Sequence, residues 1–120
     1  STIYSLQKDG RELMKTYLLD DPPVFDYVLG STKIDNPDPK VVAKADFAIT
    51  AMIQYMSAVL NQHRNGSLSD PYWESVDGEL CAIVRRPVVT AFWIAKVRKG
   101  KYSEYFKAWG DGCLDRPATP

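Results

Sequence analysis

Residues 39–65, PKVVAKADFAITAMIQYMSAVLNQHRN, decide the fold. Val41, Val42, Ala45, Ala48, Ile49, Met52, Ile53, Met56, Val59 and Leu60 recur at steps of three and four. At 100° per residue they form one broad apolar stripe, which predicts a long helix. The other side of this segment is also poor in charge: Ala43, Phe47, Ala51 and Ala58 fall together, with Gln54 among them. A helix lying on a surface would carry charges there. The pattern predicts a central helix contacted on two sides, through Phe47, Ala51 and Ala58, by another helix of this chain or by a second copy.

Three Asp-Pro pairs punctuate the sequence outside this helix's interior: Asp21-Pro22, Asp38-Pro39 and Asp70-Pro71. Asp at a cap accepts from free backbone N–H groups, and Pro at the first helical position loses no hydrogen bond. Upstream, residues 2–19 place Ile3, Leu6, Leu13, Met14, Tyr17 and Leu18 on one helical face, with Gly10 interrupting at a cost of about 1 kcal/mol relative to Ala. A short helix comes next, with Val24, Phe25, Val28 and Leu29 inward and Gly30 as its stop. Residues 31–39, STKIDNPDP, form the longest loop.

Downstream, Asp70-Pro71 opens a run in which Tyr72, Trp73, Val76, Leu80, Ile83 and Val84 share a face. Arg85-Arg86-Pro87 breaks it, since Pro lacks the N–H and clashes with the preceding turn. Residues 88–97, VVTAFWIAKV, are apolar nearly all round, so helix and buried strand compete. Helix is the expectation, because Pro87 suits a first helical position; a hairpin around Arg85–Pro87, and with it an α+β fold, is the alternative. A last short helix over 102–109 shows Tyr102, Tyr105, Phe106 and Trp109, with Gly110 and Gly112 as its stop. The fold expected is all-α: five or six helices around the long central one, broken at Pro87, as one domain over 1–114 with a frayed tail at 115–120.

Composition narrows the function classes. Lys+Arg and Asp+Glu are 15 each, so the net charge is zero, without the basic excess of a nucleic-acid binder. The densest basic stretch, Lys96, Arg98, Lys99 and Lys101, reads as a solvated helix end that complements the helix dipole. No apolar run reaches the roughly 18 residues of a membrane span. The chain opens on Ser1 rather than Met and enters a helical pattern at once, so a segment upstream is expected. Cys81 and Cys113 make no disulfide framework, and unbridged thiols are expected over a single bridge. With one histidine and no ligand spacing, neither a metal nor a cofactor is expected.

Few residues point to chemistry. His63 at the end of the central stripe is read as a boundary histidine rather than a general base. Cys81 projects away from the apolar stripe and has Asp77 nearby, which does not favour a thiolate, so it reads as inert. Asp20, Asp21, Asp111 and Asp115 sit at helix boundaries, and Glu74, Asp77 and Glu79 do not converge on one face. Met52 and Met56 read as core packing rather than a plastic groove. One grouping invites a ligand: Trp73, Arg85, Arg86 and Trp93, where arginines beside aromatic faces would hold an anion or an acidic partner. Of the two arginines, Arg86 is expected to be structural and Arg85 available.

The order of these features resembles a set of uncharacterised bacterial helical domains that stand behind a single N-terminal membrane helix. The elements concerned are Asp21-Pro22, the long helix from Val41, Asp70-Pro71-Tyr72-Trp73, Arg86-Pro87 with Trp93 after it, and the closing helix with Tyr105 and Phe106. The resemblance implies an all-α fold and a membrane tether outside this sequence, and brings no catalytic residues. The function expected is a non-enzymatic protein-interaction or regulatory domain, with a protein partner or a second copy. Its expected location is the cytoplasm, tethered to the inner membrane where the resemblance holds. A small-ligand or anion-binding domain is the alternative, and an enzyme using His63 or buried carboxylates the weakest reading.

Overall fold

Six helices carry the chain in the computed structural model, which describes residues 2–116. They are α1 (Thr2–Met14), α2 (Pro22–Leu29), α3 (Pro39–Arg64), α4 (Asp70–Val84), α5 (Pro87–Phe92) and α6 (Glu104–Asp115). No strand occurs among the described residues, so the all-α expectation holds and the hairpin alternative falls. The long helix α3 is central. Its residues Ala45, Ala48, Ile49, Met52, Ile53, Met56, Val59 and Leu60 are all buried, as the stripe requires. Fully burying such an aliphatic side chain contributes about 1.5–3 kcal/mol.

Caps set the boundaries. Asp21 accepts from the Val24 N–H at 3.4 Å and Asp38 from the Lys40 N–H at 2.8 Å. The third Asp-Pro pair works differently. Ser69 is the cap of α4, accepting from the Tyr72 N–H at 3.3 Å, and Asp70 lies inside the first turn, where its charge meets the positive helix end. After α3 the chain turns through Gly66, whose φ of +84° is in the left-handed region that glycine enters without steric cost.

Two helices end in a wider π-helical turn, Lys15–Leu19 after α1 and Trp93–Val97 after α5. A π turn takes an extra residue per turn and so rotates the faces of the residues around it. That corrects one face assignment. Leu18 is buried as expected, but Tyr17, predicted inward at 3.6-residue spacing, is exposed. On the second segment, Val89, Trp93 and Val97 are buried at four-residue steps, and Ile94 faces outward.

The break at Pro87 is present, and α5 starts there. The sequence points to the arginines as donors to the carbonyls freed at the end of α4. Instead the Thr90 hydroxyl donates to the Val84 carbonyl at 2.7 Å. Arg85 reaches across to donate to the Cys113 carbonyl of α6 at 3.2 Å, and the Arg86 side chain makes no hydrogen bond or ion pair among the described residues. Their expected roles are thus exchanged, because α6 lies within reach of the 85 side.

The last helix is longer than predicted. It runs through Gly110 and Gly112 to Asp115. Gly110 is no stop: the Trp93 ring lies against it so closely that a Cβ at 110 would fall 1.8 Å from Cζ2 of the indole. The glycine makes room for tryptophan. The extension is held by a Cys81–Cys113 disulfide, with both cysteines buried and their Cα atoms 5.0 Å apart. This corrects the expectation of unbridged thiols. Cys81 lies off the main stripe of α4 because that helix is covered on a second side by α6. Asp115, expected to begin a frayed tail, is the last residue of α6, and residues 117–120 of that tail lie outside the described residues.

Candidate functional site

The buried residues form two clusters. The larger fills the centre, and a smaller one joins Leu6, Val59 and Leu68. Helices α1 and α4 both rest on α3 without closing against each other, and a groove of about 790 Å³ is left between them. Its floor is Met52, Met56 and Val59 of α3, and its inner walls are Leu13 and Met14 on one side and Val76, Leu80 and Ile83 on the other. The chain has three methionines, and all of them line this groove. From the sequence, Met52 and Met56 read as core only. They are core residues, 3% and 1% exposed, whose edges also line the bottom of the groove, which helical periodicity along one segment cannot reveal.

The rims are polar and ordered by the helix repeat. On the α1 side, Gln7 and Arg11 of α1 and Lys15 of the π turn that follows it stand exposed at four-residue steps; on α4, Ser75 and Glu79 do the same. None of Arg11, Lys15 and Glu79 has an ion-pair partner among the described residues. Tyr55, Tyr72, Gly10 and Leu19 complete the lining. Burial raises both phenol pKa values above the usual 10.0; Tyr72 and Asp9 add to this at Tyr55, and Glu79 at Tyr72. Both hydroxyls therefore remain neutral donors. The Tyr55 hydroxyl donates to the Leu6 carbonyl at 2.7 Å, fixing α1 on α3. Gly10 permits this approach, since a Cβ there would fall 2.7 Å from that hydroxyl oxygen.

The tryptophans singled out from the sequence lie elsewhere. Trp73 stacks on His63, ring centroids 4.5 Å apart and planes 12° from parallel. Trp93 is 0% exposed and packs edge-on to Phe106 at 5.1 Å. Trp109 joins the two, 6.3 Å from Trp73 and 6.4 Å from Trp93. Each of two indoles is held by a carboxylate that an arginine also grips. Trp93 Nε1 donates to Asp111 at 3.1 Å beside Arg98 at 2.7 Å, and Trp109 Nε1 donates to Asp77 at 2.8 Å beside Arg116 at 2.7 Å. The Arg98 hydrogen bond, with that from Trp93, lowers the Asp111 pKa below its usual 3.8 against a smaller opposing effect of burial.

This aromatic cluster braces α4 and α6 and leaves little surface for a ligand. Arg85 is committed to the Cys113 carbonyl, and Trp73, Arg85, Arg86 and Trp93 line neither of the two cavities described. Of the basic stretch, Arg98 pairs with Asp111, and Lys96 lies 3.9 Å from Asp46 and over the Phe92 ring. His63 Nε2 lies 3.6 Å from Asp70, and its Nδ1 is buried without a partner among the described residues. No group of three or more His, Cys, Asp or Glu able to hold a metal occurs among the described residues. Among the described residues no helix covers the outer face of α3: Phe47 is 75% exposed, Ala58 is exposed and Ala51 half-buried, so the covering helix of this chain expected there is absent.

Asp77, Asp111 and Trp109 escape a reading of the sequence because their partners lie 32, 18 and 32 positions away in the chain, respectively. Compared with known proteins, the chain matches no family model, no curated protein and no solved structure.

Proposed function

We propose that this is a non-enzymatic interaction domain that receives its partner in the groove between α1 and α4. One observation carries the reading: a channel of about 790 Å³ with an apolar floor, all three methionines in its lining and a polar rim on each side. Apolar lining with a few placed polar groups is the usual make-up of a binding cleft, and methionine side chains adapt to varied apolar partners. The test is NMR of the protein labelled at methionine methyl groups, titrated with an apolar fluorescent dye. Binding should move the signals of Met14, Met52 and Met56, and Val76→Glu should abolish it while helical circular dichroism persists. Dye binding that leaves those three signals in place would end the reading.

The same proposal covers location. No helix among the described residues is long and apolar enough to cross a membrane. Disulfides persist in oxidising compartments and are rare in the cytoplasm. The buried Cys81–Cys113 bridge therefore favours an oxidising compartment over the cytoplasm expected from the sequence. A bacterial membrane tether, if present, would then carry the domain on the non-cytoplasmic side. Alkylation of the protein isolated from its native source, with mass spectrometry as the readout, tests this: an alkylated Cys81 in the untreated protein would count against it.

A further inference from the structure

We infer that the occupant of the groove is an amphipathic helix of about three turns from a protein partner, acidic along the flank that meets α1. This inference rests on the groove being the docking site. Length is the first argument. The α4 wall runs from Tyr72 to Ile83, which at 1.5 Å per residue is about 16 Å, and α1 together with the π turn after it lines the opposite side from Gln7 to Leu19, a similar stretch. That matches about eleven helical residues, whose apolar side chains at i, i+4 and i+7 would stand over Met52 and Met56 and between the two walls.

Charge is the second argument, and it separates a helix from an acyl chain. The α1 rim presents Arg11 and Lys15, one turn apart, with no ion-pair partner among the described residues. The α4 rim presents Glu79, likewise unpaired among the described residues. The charges the two rims present are thus of opposite sign, two cations on one side and one carboxylate on the other. A fatty acid or other anionic amphiphile would use the two cations but leaves Glu79 facing apolar chain. A helix with Glu or Asp on one flank and Lys or Arg on the other answers both rims, each pair adding specificity more than raw affinity. Gln7 and Ser75 extend the rims with groups that donate and accept, suited to the polar shoulders of a helix.

The test uses synthetic, end-capped helical peptides with leucine at i, i+4 and i+7, measured by fluorescence anisotropy against the full chain. One has Glu on one flank and Lys on the other; a second has Lys on both. The mixed-flank peptide should bind the wild type about tenfold more tightly than the all-Lys peptide. In the double variant Arg11→Glu/Lys15→Glu the rim is acidic throughout, and the order of the two peptides should reverse. Both positions are exposed, so the fold is unaffected, which circular dichroism checks. Equal binding of both peptides to both proteins would overturn the charge assignment. Binding of palmitate, with neither peptide bound, would replace the helix by a lipid while leaving the groove as the docking site. Dimerisation that Leu80→Glu abolishes would make the occupant a second copy and overturn a separate partner. Failure of peptides, palmitate and apolar dye alike would remove the groove reading itself, which distinguishes that failure from the failure of this inference.

Discussion

Replacing Gly110 by alanine should destabilise the domain, although the same change in an open helix stabilises it. Within α6 the substitution gains about 1 kcal/mol of helix propensity. The new methyl, however, would fall 1.8 Å from Cζ2 and 2.1 Å from Cη2 of Trp93. That ring is buried, packed against Phe106 and Trp109 and tied by Nε1 to Asp111, so it cannot swing clear without losing that bond. Overpacking costs about 1–3 kcal/mol, and a hydrogen bond to a charged group contributes about 1.5–3 kcal/mol. Set against the propensity gain of about 1 kcal/mol, the net loss is about 1.5–5 kcal/mol. Unfolding entropy for a chain of 120 residues makes 1 kcal/mol about 4 °C, so Tm should fall by roughly 6–20 °C. Gly112→Ala is the internal control. A Cβ there meets nothing within 4 Å, and Tm should rise by about 2–4 °C. Thermal unfolding monitored by circular dichroism, with the disulfide intact in both variants, gives the comparison. If Gly110→Ala matches Gly112→Ala, the packing of α6 on Trp93 is not as described.

The same geometry fixes three other outcomes. Reducing the Cys81–Cys113 bridge, which joins residues 32 positions apart, should cost about 3–4 kcal/mol by the chain-entropy account, and urea midpoints with and without reductant will measure it. Arg85→Ala should lose about 0.5–1.5 kcal/mol through the Cys113 carbonyl while Arg86→Ala loses little, and equal effects in denaturant titrations would contradict the exchange of roles. Because the folded pKa of Asp111 lies below its ordinary 3.8, its contribution is present above that value and lost as pH falls through the folded pKa. Asp111→Asn should therefore flatten stability against pH on the acid side of 3.8 and leave its slope near neutrality unchanged, as read from midpoints across that range.

Much of the architecture is legible in short-range pattern. The 39–65 stripe marks a helix that ends within one residue of its expected boundary, and Pro87 marks a true restart. The features that stay hidden are set by distant partners. Gly110 looks like a helix stop until Trp93 is seen filling the space beside it. Cys81 looks misplaced on α4 until α6 arrives to cover it. Tyr17 is misassigned because a π turn is not announced by any residue type in KTYLL. The candidate ligand residues Trp73, Arg85, Arg86 and Trp93 stand close in sequence, whereas the groove draws its lining from three helices that periodicity reads one at a time.

Tyr55 works as a spacer. Its ring stands between α3 and the backbone of α1, with Gly10 on one side and the Leu6 carbonyl at its tip, so the height of one groove wall above the floor equals the reach of a single phenol. A side chain at position 10 would jack that wall outward, and a shorter residue at 55 would let it settle. The calibre of the channel is thus adjustable at two positions without altering Met52, Met56 or Val59. A lineage could retune the domain for a thicker or thinner partner by changing the strut and keeping the floor.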